Sequence, residues 1–356
     1  MRTAVVILNW NTREYLGRFL PPLLDSLQGL DAGVVVADNA STDGSRELLA
    51  ERFPQIKTIL FEENFGFTGG YNRAFAELLK APDAPEYLVL LNSDIEVPAG
   101  WLEPLVAWMD AHPDYAACGP KLHALLPEGD GFRRTDQFEY AGAAGGLLDR
   151  YGFPFCRGRV LQRTERDEGQ YDRPQDALWV SGACLLVRAR CWRELSGLDE
   201  RFFAHMEEID WCWRAWLAGW RVGVVPQSCV YHLGGGTLAP SSPFKLKLNF
   251  RNGLLLLENN LPATVGVRRA RGRIRVRKIL DCAASIVYLL SGKTENARAV
   301  RDAHREYRQL RNNPPARPET ASGAAPCGYY GLRILLQSAL RGEKVFKFVR
   351  RYEGSH

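Results

Sequence analysis

The chemistry-bearing residues fall in four short stretches. The densest is Met206-Glu207-Glu208-Ile209-Asp210-Trp211, with three carboxylates in four residues. Such groups repel one another unless a cation or a proton intervenes. On a helix Glu207 and Asp210 share a face, and Arg214 lies four residues beyond Asp210. Glu208 then points about 100° away from Glu207. One carboxylate is free to face a cleft as a base while another is tied to structure. Trp211, Trp213, Trp216 and Trp220 make the surroundings apolar, so a solvated acidic helix start fits less well. The second stretch is Asn92-Ser93-Asp94, a polar end to an apolar run. A carboxylate there suits a hard divalent cation on a diphosphate. The third is Val230-Tyr231-His232, followed by glycines; its imidazole is a candidate metal ligand or a structural histidine. The fourth is Asn64-Phe65-Gly66-Phe67-Thr68-Gly69-Gly70-Tyr71-Asn72. Its glycines would let backbone N–H groups approach a phosphate or ribose. It lacks both the G-x-G-x-x-G pattern and the G-K-[ST] of a Walker loop.

These groups need strands and helices to bring them together. Apolar runs at residues 4–8, 33–37, 56–61 and 87–91 read as buried strands. Between them lie helical patterns, such as Tyr15, Leu16, Phe19, Leu20, Leu23, Leu24 and Leu27. Strands alternating with helices predict βαβ units and a mostly parallel, Rossmann-like α/β sheet with flanking helices. Asn9, Asp38 and Asp94 follow three of the strands, so they share the rim where open α/β sheets bind ligands. Residues 126–176 are loop-rich and read as an insertion shaping an acceptor cleft. Further strands are expected at 179–188, broken by Gly182-Ala183, and at 221–225, with a helix inside 202–220. A loop at 234–243 marks a boundary, so the expected domains are 1–240 and a basic, mainly helical 241–356 with a linker at 312–326.

The net charge of +5 conceals a split. From Lys245 onward 23 Lys and Arg stand against 8 Asp and Glu, whereas residues 1–244 carry 23 against 33. Residues 268–278 hold seven cations and no acid, and the apolar stretch 279–290 follows. This combination predicts an anionic membrane surface as partner. Nucleic acid is not expected, because the stretch lacks aromatic residues on which bases stack. Packing of the tail on the acidic body is the plainer alternative. An apolar content of 46% argues against disorder. Eight scattered cysteines without a CxxC pair, and no signal peptide, predict a cytoplasmic protein, peripheral at the inner face of the cell membrane.

Taken in order, the stretches 5–11, 36–45, 64–72, 91–94, 180–186, 198–203, 207–210 and His232 resemble the inverting family 2 glycosyltransferases with a GT-A fold, in particular the rhamnosyltransferase-like branch. The resemblance covers residues 3–236. It implies transfer of a sugar from a nucleoside-diphosphate donor, dTDP-rhamnose or a UDP-sugar, to a saccharide or lipid-linked saccharide in cell-surface polysaccharide synthesis. It also implies Mg2+ or Mn2+ held by Asp94 and His232. Asp38 would bind the nucleobase, with Asn9 and Asn11 lining that pocket; Gly69, Gly70, Asn72, Asn92 and Ser93 would border the ribose and phosphates. Glu208 would be the general base, with Glu207 or Asp210 sharing the role, and Gly182, Ala183 and Trp211 would meet the acceptor. Two departures stand out. The metal motif begins with Asn92 rather than Asp, and Glu208 replaces the usual Asp of the base. The second leaves a catalytically silent sugar-nucleotide-binding or scaffold protein as the alternative. A sugar-phosphate nucleotidyltransferase would need a basic, Gly-rich N-terminal loop, which Asn9-Trp10-Asn11 does not supply.

Overall fold

A computed structural model describes residues 1–234, 242–312 and 326–355. Most of the expected boundary loop at 234–243 and of the linker at 312–326 lies outside the described residues.

The N-terminal half follows from its apolar runs. Strands β1 (Thr3–Asn9), β2 (Ala32–Asp38), β3 (Lys57–Leu60) and β4 (Tyr87–Leu91) pair in parallel in the order β3-β2-β1-β4. Helices α1 (Arg13–Ser26), α2 (Ser45–Arg52) and α3 (Gly66–Leu78) make the crossovers. Alternate strand residues point to opposite faces, and both faces are buried here. Val5, Ile7, Val36, Val89 and Leu91 pack with Leu16, Leu20, Leu48 and Leu49 of α1 and α2. Ala4, Val6, Val35, Leu88 and Leu90 pack on the other side with Tyr71, Ala74 and Phe75 of α3.

Beyond β4 the sheet becomes mixed. The two-residue β5 (Ile95–Glu96) is followed by α4 (Glu103–Ala111), β6 (Tyr115–Glu128) and its hairpin partner β7 (Gly131–Phe138). A separate four-stranded sheet comprises β8 (Gly146–Leu148), β9 (Pro154–Cys156), β10 (Arg159–Val160) and β11 (Arg163–Thr164). The edge strand β12 (Gln175–Asp176), then β13 (Cys184–Arg188) and β14 (Arg221–His232), complete a ten-stranded main sheet. Strand β13 lies antiparallel between β4 and β6, whereas β14 runs parallel to β6. The expected strand at 179–188 is therefore regular only from Cys184, which pairs with Leu91 at the rim. The two apolar runs at 221–225 and 230–232 form one strand, with an irregular register between Val224 and Cys229. The region 126–176 is a hairpin and a small sheet rather than loop. Its two- and three-residue strands are too short to show a period.

Helices α5 (Ala189–Glu194) and α6 (Glu207–Leu217) precede β14. The C-terminal region is helical, as expected: α7 (Pro243–Val265), α8 (Val267–Leu290), α9 (Thr294–Leu310), α10 (Ile334–Arg341) and α11 (Val345–Glu353). Leu254 to Leu257 and Leu261 of α7 enter the same apolar core as α3 and α6. Ile334, Val345, Phe346 and Val349 close over Leu147, Phe155 and Val160 of the small sheet. That sheet cannot bury both its faces without α10 and α11. Phe346→Ala is expected to cost about 3–5 kcal/mol, read as a lower urea midpoint of the far-ultraviolet circular dichroism signal.

Candidate active site

The parallel register lines up the polar strand ends. Asn9 pairs with Asp38, and Ile7 pairs with Leu91, so Asn92-Ser93-Asp94 continues at the level of Asn9. Asn9 Nδ2 donates to Asp38 Oδ2 (2.8 Å) and Ser41 Oγ (3.0 Å). Thr12 Oγ1 bridges Asn9 Oδ1 (2.6 Å) and Ser93 Oγ (2.9 Å). Asp38 also accepts from Ser41 N (3.0 Å) and Arg46 Nε (2.6 Å). Burial opposes its charge, but bonds from Ser41, Arg46 and Asn9 outweigh burial and hold its carboxyl below the usual range. One polar network thus spans three strand ends. Thr12, Ser41 and Arg46 belong to it, although their types gave no signal in the sequence. Asn11 is exposed beside it, in the left-handed region (φ 54°), and accepts from Thr42 N at 2.8 Å.

Asp94 and His232 are joined by the pairing of β5 with β14, in which Ile95 faces His232. Leu233 N donates to Asp94 O (3.1 Å), and His232 Nε2 lies 3.2 Å from Asp94 Oδ1. The other ring nitrogen, Nδ1, lies 3.2 Å from Glu139 Oε2. All three side chains are buried. Burial works against a charged ring, yet Asp94 and Glu139 override it and raise His232 well above its ordinary value. Neither ring nitrogen meets a partner along a hydrogen-bonding direction. A carboxylate and an imidazole so placed fit a divalent cation. Among the described residues no third His, Cys, Asp or Glu completes a protein-only metal cage. Lys245 of α7 feels the charges of Glu139 and Asp94, though burial lowers it overall. Sequence reasoning missed both Glu139 and Lys245, because each is distant in sequence and sits in no motif.

The acidic stretch begins α6. Immediately before it Phe203, His205 and Met206 all have positive φ (62°, 70° and 70°), conformations that cost energy for residues with a Cβ. The turn is held from two sides. Phe203 O accepts from Phe67 N (2.8 Å) at the start of α3. Asn252 Nδ2 of α7 reaches Phe202 O (3.0 Å), Ala204 O (2.8 Å) and His205 O (2.7 Å). Burial pushes Glu208 up to about 7. Burial, then the neighbouring Glu208, raises Glu207 well above its usual value. One oxygen of each glutamate, Oε2, is buried without a hydrogen-bond partner. Both glutamates therefore keep a proton to higher pH than an exposed carboxyl does. His205, pushed down to about 4 by burial, stays neutral beside them in the chain.

The two ends of the site meet at the turn before β13. Ala183 O accepts from Asn92 N (2.9 Å). A Cβ built on Gly182 would lie 3.5 Å from Glu208 Cβ. Asp38, Asp94, His232 and Glu208 are thereby linked through contiguous contacts along one rim.

Other expected site residues have different roles. Asp210 is fully buried and pairs with Arg214 Nε (2.8 Å), while Asn259 (2.9 Å) and Asn260 (2.8 Å) donate to its second oxygen. It anchors α6 to α7 and has no lone pair directed at a cleft, so the base role considered for it gives way to a structural one. Trp211 is fully buried against Trp192 and cannot meet an acceptor. Asn72 brackets Leu198, donating to its carbonyl (2.8 Å) and accepting from its N–H (2.9 Å). Gly70 packs on Leu8, where a Cβ would come within 2.6 Å, and Gly69 packs against Arg73 and Phe65. Gly70 thereby lets α3 lie close on β1, and Gly69 makes room for Arg73 and Phe65 at the start of the same helix.

Comparison with known proteins agrees with this arrangement. A family model described as Glycosyl transferase family 2 matches residues 4–162. Over 234 residues the chain is 30% identical to the N-acetylglucosaminyl-diphospho-decaprenol L-rhamnosyltransferase of Mycobacterium tuberculosis, covering 64% of this chain and 75% of that protein. Over 240 residues it is 26% identical to the succinoglycan biosynthesis protein ExoA of Rhizobium meliloti, covering 67% and 65%. The solved structure of GalNAc-T7 with UDP, GalNAc and Mn2+ superposes with a TM-score of 0.54 at 19% identity, over 70% of this chain and 47% of that one. The fold is that of the GT-A glycosyltransferases. The chain belongs to glycosyl transferase family 2, and a rhamnosyltransferase and polysaccharide-synthesis proteins are among its relatives.

The closed partners of Asp210 carry a direct consequence. Asp210→Ala leaves Arg214 buried without its counter-charge and is expected to cost about 3–5 kcal/mol, measured by urea denaturation.

Proposed function

We propose that the protein transfers a sugar, with inversion, from a nucleoside-diphosphate donor to a saccharide or lipid-linked saccharide acceptor in cell-surface polysaccharide synthesis. The name of the rhamnosyltransferase relative favours an activated rhamnose such as dTDP-rhamnose as donor, with a UDP-sugar as the second reading. The observation that carries the reading is Glu208, pushed up to about 7 beside Gly182, on the same rim as Asp94 and Ser93. A base with that value takes a proton efficiently near neutral pH. Glu208 would accept the acceptor hydroxyl proton as its oxygen attacks the anomeric carbon from the side opposite the leaving diphosphate. A single displacement inverts the anomeric centre.

Asp94 and His232 would hold Mg2+ or Mn2+. Bound there, the cation stabilises charge on the leaving diphosphate. Lys245 adds a positive charge at the same end. The rim of Asn9, Asn11, Asp38 and Ser93 would receive the nucleoside, and Gly182-Ala183 the acceptor. Residues 1–240 would form the catalytic domain and 241–356 a supporting helical region.

We also infer a peripheral position at the inner face of the cell membrane. No helix among the described residues is long and apolar enough to cross a bilayer. Helix α8 instead leaves Val276, Ile279, Ile286 and Leu290 exposed at helical spacing, the last two at 56% and 84%. Arg268, Arg271 and Arg275 are exposed on the preceding turns. Leu335, Leu336 and Leu340 of α10 are exposed as well. Apolar side chains next to cations suit an anionic lipid surface.

Two tests follow. Below pH about 7 Glu208 is protonated, so kcat/KM should rise with pH and level off above it. Glu208→Gln should lower kcat by about 10²–10⁴-fold while donor binding persists; unchanged release of nucleoside diphosphate by that variant would remove Glu208 from the base role, and donor binding without release by the wild type would favour the silent-binder alternative. The sign for stability is opposite. A carboxyl raised from 4.5 to about 7 favours folding less as pH climbs through that interval, so Glu208→Gln should melt higher than wild type at pH 8. For the membrane, co-sedimentation with phosphatidylglycerol vesicles should exceed that with phosphatidylcholine. Replacing Arg268, Arg271 and Arg275 by Ala should weaken it roughly 100-fold, at about 1 kcal/mol per residue.

A further inference from the structure

We propose that Glu139 is a positioning residue that locks the His232 ring for cation binding, a role that rests on the cation reading of Asp94 and His232 above. His232 lies between two carboxylates, with Nδ1 3.2 Å from Glu139 Oε2 and Nε2 3.2 Å from Asp94 Oδ1. The two sides are not equivalent. Asp94 sits on the rim that Ser93 and Thr12 tie to the nucleoside end. Glu139 sits behind the ring, where its N–H donates to Leu122 O (2.9 Å) on β6. Its Oε2 also accepts from Ala141 N, and Gly234 closes over its other oxygen, 3.1 Å from where a Cβ would stand.

A neutral imidazole has one N–H and one lone pair. With the proton on Nδ1 and directed at Glu139, the Nε2 lone pair faces an Asp94 oxygen with nothing between them. A divalent cation takes the place of a second ring proton and uses the two groups as ligands. With the proton on Nε2 instead, the ring pairs with Asp94 and cannot ligate. Glu139 therefore selects the tautomer that opens Nε2 to the cation. Histidine ligands in metal sites commonly donate their second N–H to a carboxylate, and loss of that carboxylate weakens metal affinity by about 10–100-fold. Glu139 lies outside every motif that carries the family resemblance.

The test uses the full-length protein with UDP or dTDP present and compares wild type with Glu139→Gln and Glu139→Asp. Mn2+ binding is followed by electron paramagnetic resonance. The Gln variant should bind Mn2+ about 10–100-fold more weakly, with Asp recovering part of the loss. At saturating Mn2+ its kcat should return close to the wild-type value. Equal Mn2+ affinity in wild type and Gln variant would overturn the proposal and leave Glu139 a structural ion-pair partner. A second measurement needs no variant. In 15N spectra of the wild-type imidazole, Mg2+ with UDP should leave Nδ1 protonated and shift Nε2; a proton found on Nε2 under those conditions overturns the proposal. If wild type binds no Mn2+ with either nucleotide, the cation reading itself fails and the role of Glu139 falls with it.

Discussion

The site depends on one small pairing. The two residues of β5 join the far end of β14, and this alone sets Asp94 against His232. A two-residue strand has little stability of its own. Its neighbours supply what it lacks. Ile95 and Val97 are buried on either side of Glu96, and Trp101 fills the space below, with its carbonyl held by Ser228 Oγ at 2.6 Å. The polar residues on the rim are thus held by apolar residues immediately after them in sequence.

A second dependence is electrostatic. The rim collects Asp38, Asp94, Glu139, Glu207 and Glu208 within a largely buried region. Each carboxylate is handled differently. Asp38 is kept ionised by Arg46 and three further hydrogen bonds. Asp94 and Glu139 share an imidazole. Glu207 and Glu208, with no such partner on their buried oxygens, are raised instead. Environment separates five similar groups into an ionised anchor, a pair sharing one imidazole and a pair held towards the protonated form, as in enzymes that run acid and base chemistry with like residues.

The C-terminal helices are part of this machinery. Asn252 and Arg251 of α7 hold the carbonyls of the strained turn before Glu207. Asn259 and Asn260 hold Asp210, and Lys245 feels the charges of Asp94 and Glu139. The same region presents an exposed apolar stripe on α8. It thereby connects the chemistry of the rim with the surface proposed to meet lipid.

Much of the fold was legible because its signals are local. Buried parallel strands show as short apolar runs, and the polar residue ending each run marks the rim, so β1, β2 and β4 and the positions of Asn9, Asp38 and Asp94 could be read directly. The acidic start of α6 was equally visible, as was the helical character of the basic tail. The short strands between 126 and 176 were not, since two or three residues carry no period. Nor could spacing decide which side of α6 faces the cleft: a helix places Glu208 about 100° from Glu207, but α7 determines that Asp210 is the face closed by Arg214 and asparagines. Gly69, Gly70 and Asn72 read as ligand-binding types, but Gly70 packs α3 on β1, Gly69 accommodates Arg73 and Phe65, and Asn72 brackets Leu198 by hydrogen bonds, because close backbone approach and phosphate contact call for the same residues. Glu139 and Lys245 reach the site only through pairings distant in sequence. Local composition determined the strands and their ends; the choice among carboxylates belonged to the neighbours that burial brings against each one.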